Sequence, residues 1–193
     1  MTSRCQDLSK FKVPMEFRGK PAWFVQLWWL VQSTLFGLSP QFLYGWRRFL
    51  LRVFGAQIGK GVLVRPSARI TYPWKVSIGD YSWIGDDAVL YSLGEIQIGS
   101  HAVVSQRSYV CTGTHDSGML TFDILARKIV IEDEAWIATD VFVGPGVTIG
   151  RGTVVGARSS VYKELPSMVV AVGTPAKPIR KREIAEDIRP CVS

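Results

Sequence analysis

With 193 residues, 47% of them hydrophobic, and a formal charge of +7, the chain suits one main domain with appendages and is excluded from the disordered polyelectrolytes. Three scattered cysteines, Cys5, Cys111 and Cys191, form no CxxC or CxxxH pattern, so neither a disulfide framework nor a zinc cluster is expected; with only two histidines, no metal site is expected either. No RRM, helix-turn-helix or zinc-finger pattern accompanies the basic residues, which argues against nucleic acid as a partner. No secretory signal with a small-residue cleavage site is visible, so a reducing cytoplasm is the default location.

Residues 1–20 are polar and basic, with Pro14, and are expected to drape over a neighbour or stay mobile. Residues 21–44 are strongly apolar and aromatic, with Trp23, Phe24, Trp28, Trp29 and Phe36, and Gly37 and Pro40 divide the stretch into a helical hairpin ending near Gly55. Two readings of 21–52 stand side by side. The helices pack on the rest of the protein, or their Trp-rich face, flanked by Arg47, Arg48 and Arg52, makes peripheral contact with the inner face of the cytoplasmic membrane. A transmembrane span is disfavoured because Gln26, Gln32 and Ser33 interrupt a run that would need about 20 apolar residues.

From Ile58 the pattern changes. Ile58, Ile78 and Ile98, each followed by Gly, stand twenty residues apart, and between them fall Val64 and Ile70, Ile84 and Leu90, then Val104 and Val110. Farther on, an aliphatic residue recurs every six positions at Ile131, Ile137, Val143, Ile149, Val155 and Val161. A six-residue period fits neither a helix nor an ordinary strand. It fits a hexapeptide β-solenoid, in which each hexad forms one flat face and three hexads close a triangular coil. Gly144, Gly150 and Gly156, with Ala138 at the equivalent place, mark the corners. Between the two hexad runs, residues 116–128 carry no hexad phase and read as an excursion from the wall, where function tends to reside. The predicted organisation is therefore mainly β: an N-terminal helical segment over 1–55, a solenoid over 56–175, and a tail over 176–193 with a short helix at 179–188.

The hexads, the Thr112-Gly113-Thr114-His115-Asp116 motif, the Ala135-Trp136-Ile137-Ala138 run and the tail from Gly173 to Arg180 together resemble the hexapeptide-repeat acyltransferases of left-handed parallel β-helix fold. The similarity is greatest to the colanic acid biosynthesis acetyltransferases, which O-acetylate bacterial exopolysaccharide sugars. The left hand is implied by the resemblance alone, since crossovers between parallel strands are normally right-handed. The resemblance further implies a homotrimer, with each site between adjacent solenoids and acetyl-CoA, the acyl donor, lying along the groove. The implied acceptor is a sugar or a lipid-linked saccharide.

Transfer of an acetyl group to a hydroxyl needs a base, and His115, at the root of the excursion, is the natural one, because a neutral imidazole accepts a proton near pH 7. His101 reads as a solvated corner. Glu95 precedes His115 by one coil of twenty residues and either orients the ring or is a surface carboxylate; Asp116 could serve instead. Where related sugar acetyltransferases often carry an Asn for the acceptor, this chain reads Ile84-Gly85-Asp86-Asp87, which leaves Asp87 and Tyr91 as acceptor candidates. Cys111 reads as wall, since direct transfer needs no acyl-enzyme. For acetyl-CoA the resemblance implies Trp136, Ala138, Thr139, Gly144 and Ala157 along the pantetheine arm, and Lys163, Lys177 and Arg180 near the phosphates. The competing functions are an acyltransferase for a small acceptor such as an amino sugar, a serine-like molecule or an antibiotic, and a non-catalytic hexapeptide scaffold.

Overall fold

In the computed structural model, which describes residues 4–184, the aliphatic lattice closes as its spacing requires. Ile58, Ile78, Ile98, Ile131 and Ile149 stack in register up a first face. Val64, Ile84, Val104, Ile137 and Val155 stack up a second, and Ile70, Leu90, Val110, Val143 and Val161 up a third. The three parallel sheets make a solenoid of about six turns, consistent with a left-handed β-helix. All fifteen side chains are buried, each contributing about 1.5–3 kcal/mol through removal from water, and their period sets the strand length: six residues must supply a strand and a corner.

The position two residues before each leading aliphatic is also buried; the first face fills it mainly with aliphatics such as Val76, Ile96 and Ile129, the other two mostly with small or hydroxylic residues. Ser82, Ser108 and Thr153 are buried there, and their hydroxyls donate across to the next turn, to the carbonyls of Gly99, Ala138 and Pro166. Burying a hydroxyl is favourable only with such a partner. Corner stacking is tight enough to need glycine: a Cβ at Gly79 would stand 2.5 Å from the Ser100 amide, and one at Gly150 would stand 2.5 Å from that of Ser167.

The excursion is not a structureless loop. Gly113–His115 pairs antiparallel with Ile124–Ala126, so the departure begins three residues before the expected position 116 and takes His115 with it into a β-hairpin. The tail also differs from expectation. Val169–Gly173 continues the second face, and Ala176–Lys181 turns back antiparallel to it, so no helix begins at Ile179; the remainder of the helix expected over 179–188 lies outside the described residues beyond Ile184. Without a further turn to pair with, the last strand satisfies its backbone by folding back on itself.

The N-terminal helices lie against the open lower end of the solenoid. Helix α1 (Ala22–Val31), continued by a π-turn over Gln32–Phe36, buries Val25, Trp28 and Phe36; the Trp28 indole donates to Ile70 O, and Gln32 Oε1 accepts from Ile70 N. Helix α2 (Tyr44–Val53) crosses the first turn, where no lower coil exists to take up backbone carbonyls. Its arginines take them instead. Arg47 donates to Val64 O, Arg48 to Val62 O, and Arg52 to Ile58 O and Gly59 O. These three side chains are thus the end-cap of the solenoid. The segment before α1 drapes over its own chain: Asp7 N donates to Leu120 O of the hairpin, and Trp74 Nε1 to Arg18 O.

Candidate active site

His115 is exposed near the outer end of the hairpin, and its surroundings define its chemistry. Nδ1 lies 2.8 Å from the carbonyl oxygen of Phe122, and the imidazole stacks on the Phe122 ring at 4.2 Å between centroids and 8° between planes. Phe11, from the N-terminal segment, approaches the same ring at 5.9 Å. Because a carbonyl only accepts, Nδ1 carries a proton, and in the neutral ring the lone pair is then on Nε2. That tautomer is the one a general base needs.

Glu95 is not the group that Nδ1 of His115 meets. Its carboxylate is exposed and stands 3.7 Å from Lys128 Nζ, while Nδ1 of His115 is held by a backbone carbonyl. One coil length does place Glu95 below the hairpin, but the hairpin carries His115 out of the coil's register. Asp116 caps the hairpin turn, its Oδ1 accepting from Gly118 N. Tyr91 packs at the hairpin base beside Leu93, Ile124 and Ala126, and its burial pushes its phenol pKa up. Cys111 is half-buried; its thiol donates to Gly113 O, and burial pushes its pKa up, so it is held as a thiol rather than a nucleophilic thiolate.

The remaining candidates divide by corner. Gly144 and Lys163 share the corner between the third and first faces with the hairpin: Gly144 is buried there and Lys163 is exposed. Asp87, Ala138, Thr139 and Ala157 lie at the other end of the third face, at its corner with the second. Asp87 is exposed with φ 55°, while neighbouring Asp86 is taken up by Arg65 Nε at 2.7 Å and Ser67 Oγ at 3.0 Å. Trp136 stands outward on the second face, its indole donating to Ser105 Oγ, and Lys177 and Arg180 are exposed on the strand that folds back over that face. Within one chain, then, the third face separates His115 from Trp136, Ala138, Thr139, Ala157, Lys177 and Arg180.

Two features were not foreseen. Phe122, which holds and stacks on His115, had no sequence signal, since the register of a hairpin inside the excursion could not be read from hexads. Trp83 did have one. It occupies the same outward hexad position as Trp136 two turns below, and with Val103, Ser105, Gln106 and Asp86 the two tryptophans line a largely apolar groove of about 520 Å³. That is within the usual range for a small-molecule site. Among the described residues no group of three or more His, Cys, Asp or Glu is arranged to hold a metal ion.

A triangular hexapeptide solenoid bearing a backbone-oriented histidine on a hairpin at one corner and an apolar groove on the face across from it is the architecture of a hexapeptide-repeat acetyltransferase. No protein-family model matches the chain. Among individual proteins, it is 64% identical over 177 residues to WcaF of Escherichia coli (strain K12), a protein provisionally named a colanic acid biosynthesis acetyltransferase, with 92% of this chain and 97% of that one covered. The chain belongs to this acetyltransferase family. Its fold is close to a maltose O-acetyltransferase from Clostridium difficile 630, at TM-score 0.76 and 27% identity over 85% of this chain and 90% of that one. It is likewise close to a hexapeptide-repeat acetyltransferase from Vibrio cholerae O1 biovar eltor complexed with acetyl coenzyme A, at TM-score 0.73 and 25% identity over 87% and 88%.

Proposed function

We propose that this acetyltransferase moves the acetyl group of acetyl-CoA to a hydroxyl of a colanic-acid-like exopolysaccharide sugar or its lipid-linked precursor. The observation that carries the chemistry is the Nδ1 contact of His115 with the Phe122 carbonyl. Nε2 removes the acceptor's hydroxyl proton as its oxygen attacks the thioester carbonyl; collapse of the tetrahedral adduct breaks the C–S bond, and the departing thiolate takes the proton back from the imidazolium. The groove beside Trp136 suits the pantetheine arm, and Lys177 and Arg180 suit the phosphates. Asp87 and Tyr91 are the acceptor candidates.

The active form is a homotrimer in this reading. Its support is the division of the candidates between two corners of the triangle, so that a neighbour's second face must meet the hairpin to complete a site. The reaction takes place in the cytoplasm, where acetyl-CoA is made. Thiol release from acetyl-CoA over a panel of sugars and nucleotide sugars tests the activity and names the acceptor. No acceptor-dependent release with any sugar, alongside measurable binding of acetyl-CoA, would move the acceptor to another chemical class.

A further inference from the structure

The end-cap leaves α2 with its polarity reversed. Arg47, Arg48 and Arg52 turn toward the solenoid carbonyls, and Trp46, Phe49 and Val53 consequently form an apolar stripe that faces outward. Other apolar side chains of the helical segment are exposed too: Leu38 is 80% exposed, Phe42 76% and, on α1, Trp23 67%. So many exposed aromatic and aliphatic side chains on one short segment mark a surface that something covers.

The charge around the cap says what. From Phe17 to Gly79 the chain has nine Lys or Arg and no Asp or Glu, although sixteen acidic residues occur in the whole sequence. Hydrogen bonding does not cancel this charge: Arg47, Arg48 and Arg52 bond to carbonyls, and among these side chains Arg65 alone has a carboxylate partner in the described ion pairs, Asp86. The nearest carboxylates, Asp80, Asp86 and Asp87, belong to the second turn, and an aromatic apolar face whose own segment carries only basic charges is complementary to an anionic bilayer, whose headgroup layer accepts Trp and Phe and attracts Lys and Arg. A second copy of the same cap would bring two positive fields together.

We propose that the cap docks on an anionic lipid surface, α2 lying flat in the interface and the solenoid standing upright on it. His115 follows the third turn. Two turn spacings of about 4.8 Å and one helix diameter of about 10 Å then place it roughly 20 Å above the lipid. That height suits a saccharide carried on a lipid anchor; this last step rests on the acetyltransferase reading, whereas the lipid contact does not.

The full chain is to be sedimented with vesicles of equimolar phosphatidylglycerol and phosphatidylcholine, and with vesicles of phosphatidylcholine alone. The expected result is binding to the anionic vesicles that weakens with salt, and a partition at least about tenfold lower for the triple variant Phe42→Ser, Phe49→Ser, Val53→Ser. These side chains are exposed, so the variant should keep its fold and its affinity for acetyl-CoA, measured by calorimetry. Wild type remaining in the supernatant with anionic vesicles overturns the proposal. So does a triple variant that binds them as well as wild type, since the basic segments would then suffice without the cap. So does light scattering in which wild type forms a larger assembly than the variant, which would give the face to a second copy. Failure of wild type to bind acetyl-CoA would count against the acetyltransferase reading and leave the lipid result standing.

Discussion

At the scale of single residues the site depends on one proton transfer, and the geometry separates His115 from its neighbours. A positioned base contributes about a hundred- to ten-thousand-fold in rate, so His115→Ala should lower kcat by that order with little change in acetyl-CoA affinity. A variant keeping more than about a tenth of the wild-type rate, a difference of under about 1.4 kcal/mol, would remove His115 from the mechanism. Glu95→Gln should be nearly silent, within about threefold, because an exposed pair such as Glu95–Lys128 contributes little and does not reach the imidazole. A loss from Glu95→Gln comparable to that from His115→Ala would restore the carboxylate as the orienting group. His101→Ala serves as a control: its ring stacks on Tyr81 at the corner between the first and second faces, 5.3 Å between centroids.

At the scale of elements, the solenoid solves its lower end with arginine and its upper end with a folded-back strand. Arg47 is fully buried, and besides Val64 O its guanidinium donates to Ser39 Oγ at 2.7 Å and Pro40 O at 2.9 Å and lies over the Tyr44 ring at 4.9 Å. Arg47→Leu deletes the donors and leaves the acceptors buried, so chemical denaturation should show a loss of about 3 kcal/mol. Arg52→Leu, at an exposed position, should cost about 1 kcal/mol or less. Equal effects of the two substitutions would mean that the buried network is not what ties α2 to the coil. The excursion illustrates a different limit of pattern reading. Residues 116–128 show no hexad phase because Ile124–Ala126 pairs with Gly113–His115 instead of with the turns above and below, and that pairing carries the catalytic candidate.

At the scale of the whole molecule, the separation of the candidates by the third face has measurable consequences. Light scattering should give the mass of a trimer, and a fully active monomer would exclude a shared site. Lys177→Ala with Arg180→Ala should weaken acetyl-CoA binding in calorimetry while leaving the fold intact; unchanged affinity would take both cations out of the phosphate site. Complementation is more direct. Chains carrying His115→Ala, mixed and refolded with chains carrying Lys177→Ala and Arg180→Ala, should regain activity in about a quarter of sites, those where an intact hairpin meets an intact second face. If the two mutant chains remain inactive together at acetyl-CoA below KM, the base and the phosphate cations belong to one chain's site.

What the amino-acid sequence determined by itself was whatever repeats. The register of Ile58, Ile78, Ile98, Ile131 and Ile149, the tight corners at glycine and the place of His115 at the root of a break in the lattice follow from a six-residue period, because each inward aliphatic has one place to be buried and a slip of one residue would expose it. The tertiary structure alone decided what happens where repetition stops. The Phe122 carbonyl as the partner of His115, Lys128 as the partner of Glu95, the inward turn of Arg47, Arg48 and Arg52, and the strand in place of a helix after Ala176 all satisfy polar groups that lack a neighbouring coil. Such groups take whatever donor or acceptor the folded chain brings within about 3 Å, and no local pattern records which one that will be.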